Sequence, residues 1–327
     1  MDQILQTWEG RIGRRLKLRD LHILSVAVQW GSMAKAATQL GMTQPAVSES
    51  IANLEATLRV RLLDRSARGV EPTLYAHALL KRSHVVFDEL MQGVRDIEFL
   101  ANPKMGEIRV AAGDTSAAGL LAPVIDRLSL RYPEVVVHVF QTSAEALEFP
   151  EIRERVADVA LARISKSFVQ SDLGVEFLFD DPSRVVVGAL SPWARRRKVS
   201  LAELKNERWT FTSDQVIREL ITEAFNAHGL EAPGGKVIAS SMLLRSRLLA
   251  TGRYLTVLPE SVLRYNAKQW SLKALPLDLG MKPMAVAIIA LKNRTVSPVV
   301  QLFIEEVREV VRNEFPKSTL PQNLRPS

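Results

Sequence analysis

The first third of the chain has apolar residues at helical spacing, interrupted by two glycines. Leu18, Leu21, Leu24 and Val28 fall on one stripe, which predicts a helix over 18–30 that ends at Gly31. A second helix is expected over 33–40, with Ser32 as its N-cap and Gly41 after its end. A third follows Thr43, with Val47, Ile51, Leu54 and Leu58 on its buried stripe. Two short helices joined by so tight a turn are typical of a helix-turn-helix.

The polar face of the third helix is the candidate reading surface. In a helix-turn-helix, the N-terminal part of the second helix of the pair enters the major groove of DNA. The residues opposite the apolar stripe there, and hence the candidates for contact with base edges, are Gln44, Pro45, Ser48 and Glu49. The amide and the hydroxyl can both donate and accept hydrogen bonds. An ordinary helical hairpin with a solvated face fits the same pattern.

The segment after this helix favours DNA. Arg59, Arg61, Arg65 and Arg68 lie within ten residues, close to Gly69. A short arginine-rich turn in this place is typical of the wing of a winged helix, in which guanidinium groups hold phosphates. Candidate phosphate contacts are therefore Arg65 and Arg68, together with the two capping hydroxyls, Ser32 and Thr43.

The distribution of charge agrees with a polyanionic partner. The formal net charge is +7. Residues 10–82 hold twelve basic and five acidic side chains, whereas basic and acidic side chains balance over the remainder. A basic N-terminal module on a neutral body indicates nucleic acid first and an anionic membrane surface second.

Residues 34–73 resemble the N-terminal domain of the LysR-type transcriptional regulators. The resemblance is ungapped and rests on Ala36-Ala37, Leu40, the run 43–48, Ile51, Leu54-Glu55, Leu63-Asp64-Arg65 and Thr73. It departs at Leu63, Pro72 and Ala76, where the family usually has Phe, an aliphatic residue and Gly. At Ser50 the family often has a longer polar residue, so the operator sequence does not carry over. The resemblance implies a ligand-responsive regulator that binds double-stranded operator or promoter DNA, and it allows contact with RNA polymerase.

Residues 74–101 are expected to form one long helix. Leu79, Val86, Leu90 and Val94 give a narrow apolar seam, which favours pairing with a second copy of the chain over packing on its own body. The resemblance implies the same linker helix and a homodimer or homotetramer. A hinge at 102–106 follows, bracketed by Pro103 and Gly106.

The remainder alternates strands and helices, so the predicted fold is an α+β multidomain chain with a C-terminal α/β domain. A mainly parallel sheet is expected, with Val135–Phe140 as a buried parallel strand and a helix over Ala144–Arg155. The resemblance implies a periplasmic-binding-protein-like effector domain over 107–315. Its first subdomain would span about 107–180 and 285–315, and its second about 181–284. The DNA-binding domain would be 16–73, with an N-terminal extension at 1–15 and a tail at 316–327.

A ligand in such a domain is expected at the carboxyl ends of the strands, between the two halves. The candidate effector-binding residues, mostly hydroxyl-bearing positions before helices, are Asp114, Thr115, Ser116, Thr142, Ser143, Arg163, Thr212, Ser213, Ser241 and Met242. Hydroxyls and helix N-termini favour a carboxylate or another oxygen-rich small molecule, and an organic anion is the candidate effector. Each residue alone is equally consistent with a helix cap, and Arg163 with a salt bridge.

Catalysis finds no support in the sequence. Cysteine is absent, and the five histidines show no metal-ligand spacing. No enzyme activity, metal or cofactor is therefore expected, and a cytoplasmic location is the default in the absence of an export signal or membrane span. The alternative function is a small-molecule binding protein whose N-terminal helices serve assembly only.

Overall fold

The computed structural model describes residues 15–66, 69–142 and 148–315. The chain forms two compact units that divide between Gly93 and Val94. The expectations for residues 1–14 and 316–327, and for Arg68 and Ser143, lie outside the described residues.

The N-terminal unit contains the three predicted helices and a β-hairpin. Its elements in chain order are α1 (Leu18–Trp30), α2 (Met33–Leu40), α3 (Gln44–Leu58), β1 (Leu63–Ser66), β2 (Gly69–Pro72) and the start of α4 (Leu74–Ala101). Gly31 and Gly41 adopt the left-handed conformation after α1 and α2, as predicted. The hydroxyls of Ser32 and Thr43 accept from the Lys35 and Ala46 amides, so both predicted N-caps are confirmed.

The core of this unit lies between the three helices. Leu24, Ala36, Val47, Ile51 and Leu54 are fully buried in it. Because Ala36 and Ala37 are small, α2 can approach its neighbours closely. A polar bond that the apolar pattern does not show ties α3 to α1, where the Ser50 hydroxyl donates to Asp20 Oδ1 at 2.7 Å.

The hairpin is fixed to the helices by backbone contacts. The Glu55 carboxylate accepts from the amides of Leu62 and Leu63, at 2.7 and 3.2 Å, and so sets the start of β1. At its other end, the Val70 amide donates to the Gly31 carbonyl at 3.0 Å. Gly69 has φ +128°, and a Cβ there would lie 2.2 Å from the same carbonyl oxygen. Only glycine therefore fits this approach.

Among its described residues, the C-terminal unit holds three sheets, of five, three and two strands. Its elements are the end of α4, β3 (Met105–Ala112), α5 (Asp114–Ser116), a π-helical turn (Ala117–Leu121), α6 (Ala122–Arg131), β4 (Glu134–Gln141), α7 (Pro150–Arg153), β5 (Val159–Ile164), β6 (Leu173–Asp181), β7 (Ser183–Gly188), a 3₁₀ turn (Pro192–Arg195), α8 (Leu201–Leu204), β8 (Thr210–Phe211), α9 (Gln215–Ala227), β9 (Val237–Ile238), α10 (Met242–Ala250), β10 (Leu255–Pro259), α11 (Glu260–Asn266), β11 (Leu272–Ala274), β12 (Met284–Leu291) and α12 (Pro298–Glu314).

The first sheet has the order β4-β3-β5-β12-β6. Alternate residues of its strands enter two separate cores. Val286 and Ile288 pack under α6 and α12, whereas Ala287 and Ile289 face the opposite side. This period of two is the normal consequence of the β pleat. The chain returns late, through β12, to complete this sheet between β5 and β6.

The expectation of a mainly parallel sheet was wrong. β3 pairs in parallel with β4 and β5, but β12 is antiparallel to both of its neighbours because it returns from the second half in the opposite direction. In the second half, β7 pairs antiparallel with both β10 and β11, whereas the short β8–β9 pair is parallel. Strand direction depends on this crossing between halves, which an apolar pattern does not record.

Two local expectations also fail. Val135–Phe140 is not buried: β4 is an edge strand, and Val136 and Val139 are each 48% exposed. The helix expected over Ala144–Arg155 is reduced, among the residues described there, to Pro150–Arg153. Phe149 has φ +46°, and a helix cannot run through a left-handed residue into Pro150.

Candidate functional site

The exposed face of α3 is the first candidate site. Gln44, Pro45 and Glu49 are exposed and Ser48 is half-buried, while Val47 between them is fully buried. Gln44 and Ser48 are four residues apart, as are Pro45 and Glu49, so all four share one face of the helix. The structure thus places the four predicted base-contact residues on one accessible surface.

The predicted phosphate contacts come from segments before and after α3 in the chain. Arg65 is exposed on β1 opposite Val70, and Thr43 and Ser32 lie at the N-termini of α3 and α2. Both hydroxyls accept a capping bond from the backbone. Thr43 is exposed and Ser32 is half-buried, so each hydroxyl can still donate to a phosphate.

The α4 seam is mostly accessible. Val86, Leu90 and Val94 are 42%, 49% and 48% exposed. Leu79 differs from these three, because it packs against the core of the N-terminal unit. Met91 and Ile97, which are also exposed, extend the apolar stripe along the helix.

The second candidate site is a cleft between the two halves of the C-terminal unit, with a volume of about 530 Å³. The carboxyl ends of β3, β4 and β5 supply one wall, and the segments after β8 and β9 supply the other. Of the ten predicted effector residues, those that line it are Asp114, Thr115, Ser116, Thr142, Arg163, Thr212 and Ser213. Ser241 and Met242 do not line it; Ser240 and Arg245 do.

Asp114 joins the two walls of the cleft. One carboxylate oxygen, Oδ1, accepts from the Gln141 side-chain amide at 2.6 Å. The other, Oδ2, accepts from the backbone amide of Met242 at 2.9 Å, at the N-terminus of α10. A carboxylate is stabilised there by the unpaired amides and by the helix dipole. Met242 therefore contributes to this region through its backbone, while the Ser241 hydroxyl caps α10 by accepting from Leu244.

Arg163 forms the structural salt bridge that the sequence left open. Its Nε lies 3.2 Å from Asp181 Oδ2, and its Nη2 donates to the Asp181 carbonyl at 3.0 Å. Burial lowers the pKa of Arg163, and the negative charge of Asp181 acts in the opposite direction. Asp181 also accepts from the amide and hydroxyl of Ser261, at 3.0 and 2.7 Å. The carboxylate of Asp181 is thus fully committed to holding β5, β6 and α11 together.

Arg245 is one of the cleft residues that sequence reasoning missed. It lies in the run Met242–Ala250, where its neighbours are leucines and a second arginine, Arg247. Helical periodicity alone does not distinguish the two arginines, yet Arg245 is 3% exposed and Arg247 is on the surface. Only the tertiary fold shows which of them reaches the cleft.

Comparison with known proteins decides the family. Residues 18–77 match the family described as bacterial regulatory helix-turn-helix protein, lysR family, and residues 101–312 match the LysR substrate binding domain. The chain belongs to the LysR family. It is a DNA-binding transcriptional regulator with an effector-binding domain, and its family is not one of enzymes.

Curated LysR-type relatives align over most of the chain. The regulator GbpR of Azospirillum brasilense is 24% identical over 286 residues, covering 87% of this chain and 83% of the relative. CysL of Bacillus subtilis is 28% identical over 242 residues, covering 72% and 78%. These matches confirm the resemblance found in residues 34–73.

Solved LysR-type structures share the fold. CbnR, titled a LysR family transcriptional regulator, has a TM-score of 0.61 at 18% identity and covers 90% of this chain and 99% of its own. A full-length OxyR variant from Pseudomonas aeruginosa has a TM-score of 0.60 at 21% identity, with 91% and 95% covered. A further CbnR structure, described as complexed with its target DNA, has a TM-score of 0.52 at 20% identity and covers 90% and 100%. Within the described residues, no helix has both the length and the apolar composition needed to cross a bilayer.

Proposed function

We propose that this LysR-type regulator reads operator DNA with the exposed face of α3 and senses a small molecule in the cleft. Gln44, Pro45, Ser48 and Glu49 contact base edges in the major groove. Ser32, Thr43 and the arginines of the β1–β2 hairpin contact phosphates. The observation that carries this proposal is that these four α3 residues share one face, on which three are exposed and Ser48 is half-buried, while Val47, Ile51 and Leu54 are fully buried.

The oligomer proposed is a homodimer or homotetramer built on α4. Three apolar residues of its seam, Val86, Leu90 and Val94, are exposed, and water-exposed apolar stripes on long helices favour pairing with another helix. Pairing also places two recognition helices on one DNA, so that a quasi-palindromic site can be read. Leu79 is not included in this seam, because it is occupied in the N-terminal core.

The cleft is the proposed effector site. Its volume of about 530 Å³ suits a small organic molecule, and its hydroxyls come from both halves. A ligand that contacts both walls favours one relative arrangement of the halves, which is the condition for a change in DNA binding. An assembly-only role for the N-terminal helices is disfavoured by the match of residues 18–77 to a regulatory helix-turn-helix family.

Gel-shift titration against the DNA upstream of its own gene tests the reading surface. Gln44→Ala should lower the discrimination between operator and mutated operator by about 1–3 kcal/mol, because a base contact is lost. Arg65→Gln should instead weaken binding to all sequences and reduce the salt slope by about 1 for each protomer. Arg253→Gln, an exposed arginine of the C-terminal unit, is the control. Unchanged affinity and salt slope in Arg65→Gln would rule out the phosphate role of the hairpin.

A further inference from the structure

Arg245 is a buried cation without a counter-ion among the described residues. It is 3% exposed and lines the cleft. Its Nε is buried and has no hydrogen-bond partner, and its Nη2 makes only a weak contact with Met242 Sδ at 3.8 Å. Within the same residues, no carboxylate lies within ion-pair distance of the Arg245 guanidinium.

The other buried arginines of the C-terminal unit are paired. Arg163 lies 3.2 Å from Asp181, and Arg294 lies 2.9 Å from Asp158. Burial of an unpaired charge is costly, and a guanidinium does not lose its proton to avoid that cost. Burial lowers the pKa of Arg245, with the carboxylate of Asp114 acting in the opposite direction. Arg245 thus carries a desolvation cost that a bound anion would offset.

The structure describes three carboxylates in the lining of the cleft, and each is already engaged by a donor. Asp114 accepts from Gln141 and Met242, as described above. Glu151 accepts from the Thr142 hydroxyl at 3.1 Å, and Asp214 caps α9 by accepting from the Ile217 amide at 3.3 Å. None of these bonds neutralises a carboxylate. Among the described residues, the lining therefore carries three negative groups and two guanidiniums, of which Arg163 is committed to Asp181.

This balance of charge limits how many negative charges a ligand of the cleft can carry. One guanidinium is uncommitted, so one negative charge on the ligand can be matched at short range. A dianion, such as a phosphate ester, would place its second charge among three carboxylates without a cation to receive it. A carboxylate suits the site better, because its two oxygens match the planar fork of a guanidinium.

We infer that Arg245 is the anion-recognising residue of the cleft, and that the effector is a small organic molecule with a single carboxylate paired with it. The inference rests on the proposed effector function of the cleft. The carboxylate accepts from the Arg245 guanidinium on the second half, while hydroxyls of the opposite wall, such as Thr115 and Ser116, contact the rest of the molecule. A ligand held in this way bridges the two halves.

The test is a thermal-shift and calorimetric screen of the full-length protein. The probes are monocarboxylates from acetate to benzoate, including hydroxy and amino acids, each paired with its neutral amide. Succinate and phenyl phosphate represent dianions. We expect at least one monocarboxylate to bind and raise the Tm, while its amide and the dianions bind at least about tenfold more weakly, a difference of about 1.4 kcal/mol.

Three variants assign the effect to the guanidinium. Arg245→Gln should weaken binding of that monocarboxylate at least about tenfold. Arg245→Lys should retain part of the affinity, because it keeps the charge but loses the fork geometry. Arg247→Gln, on the same helix but exposed, is the matched control and should bind normally. The Tm of ligand-free Arg245→Gln should not fall, since no ion pair is broken.

The outcomes separate the inference from the proposed function. Equal binding of acid and amide, or full affinity in Arg245→Gln, would overturn the assignment of Arg245. Binding of neutral compounds alone, sensitive to Thr115→Val, would overturn the carboxylate assignment and leave the cleft as an effector site. No response to any compound of either class would overturn both.

Discussion

The reading surface of α3 and the cleft of the C-terminal unit use polar side chains in opposite ways. On α3, the candidate contacts Gln44, Pro45 and Glu49 stand in water, and the capping bonds beside them are local. In the cleft, Arg163 and Arg245 are buried, and the bonds of Asp114 and Asp181 join distant parts of the chain. DNA phosphates can be met by solvated charges, whereas a small ligand needs groups held in place and already desolvated.

The cleft itself contains a sharper contrast. Arg163 and Arg245 are similarly buried, yet one has a carboxylate at 3.2 Å and the other has none among the described residues. A buried pair is costly to break, whereas an unpaired buried charge is costly to keep. We therefore expect Arg163 to contribute to the stability of the fold and Arg245 to recognition of the ligand.

The largest expected effect is loss of stability when Asp181 is neutralised. Asp181→Asn leaves Arg163 buried without its partner and should lower the free energy of unfolding by about 3–5 kcal/mol. The control is Asp172→Asn, which removes an ion pair to Arg153 in which both side chains are partly exposed. That change should cost far less stability, because ion pairs between partly exposed side chains contribute little. Urea unfolding of both variants measures the difference, and equal losses would show that burial does not distinguish the two pairs.

A smaller loss is expected at the hairpin of the N-terminal unit. Gly69→Ala forces a side chain into φ +128° and against the Gly31 carbonyl, so it should destabilise this unit by about 2–4 kcal/mol. Gly234→Ala, where a Cβ meets nothing within 4 Å, is the control. Thermal unfolding followed by circular dichroism measures the change. A Gly69→Ala protein as stable as Gly234→Ala would mean that the hairpin does not approach Gly31 as described.

The smallest effect separates two roles of Ser32. Ser32→Ala removes the cap of α2 and should cost about 1 kcal/mol of stability. Ser32→Asp keeps a capping oxygen but adds a negative charge, so stability should be retained while DNA affinity falls through repulsion of phosphate. Unfolding and gel-shift titrations measure the two quantities. If Ser32→Asp binds DNA as well as the unmodified protein, the side chain is a cap alone.

The sequence predicted the N-terminal unit better than the cleft because its signals are local. Gly31, Gly41 and the caps at Ser32 and Thr43 act on residues three or four positions away, so their consequences can be derived from the chain itself. The Ser50–Asp20 bond was missed, since it joins residues thirty positions apart and has no periodic signature.

The cleft depends on which distant segments meet. Five of the predicted effector residues line it because carboxyl ends of parallel strands share an edge, which holds for β3, β4 and β5. Two more, Thr212 and Ser213, follow β8, which is parallel to β9. Arg245 could not be distinguished from Arg247 without the fold, and strand exposure in β4 could not be derived from its valines. The antiparallel direction of β12 could not be predicted either, because it depends on the chain returning from the second half to pair with β5 and β6.

The tie between Asp114 and Met242 has an evolutionary consequence. Its acceptor is a side chain, but its donor is a backbone amide, which nineteen of the twenty residue types can supply. Position 242 is therefore free to vary without loss of this bond, with proline as the exception, whereas position 114 requires a carboxylate or a close substitute. Divergence among descendants of this chain should accordingly be asymmetric, with position 114 held and position 242 drifting.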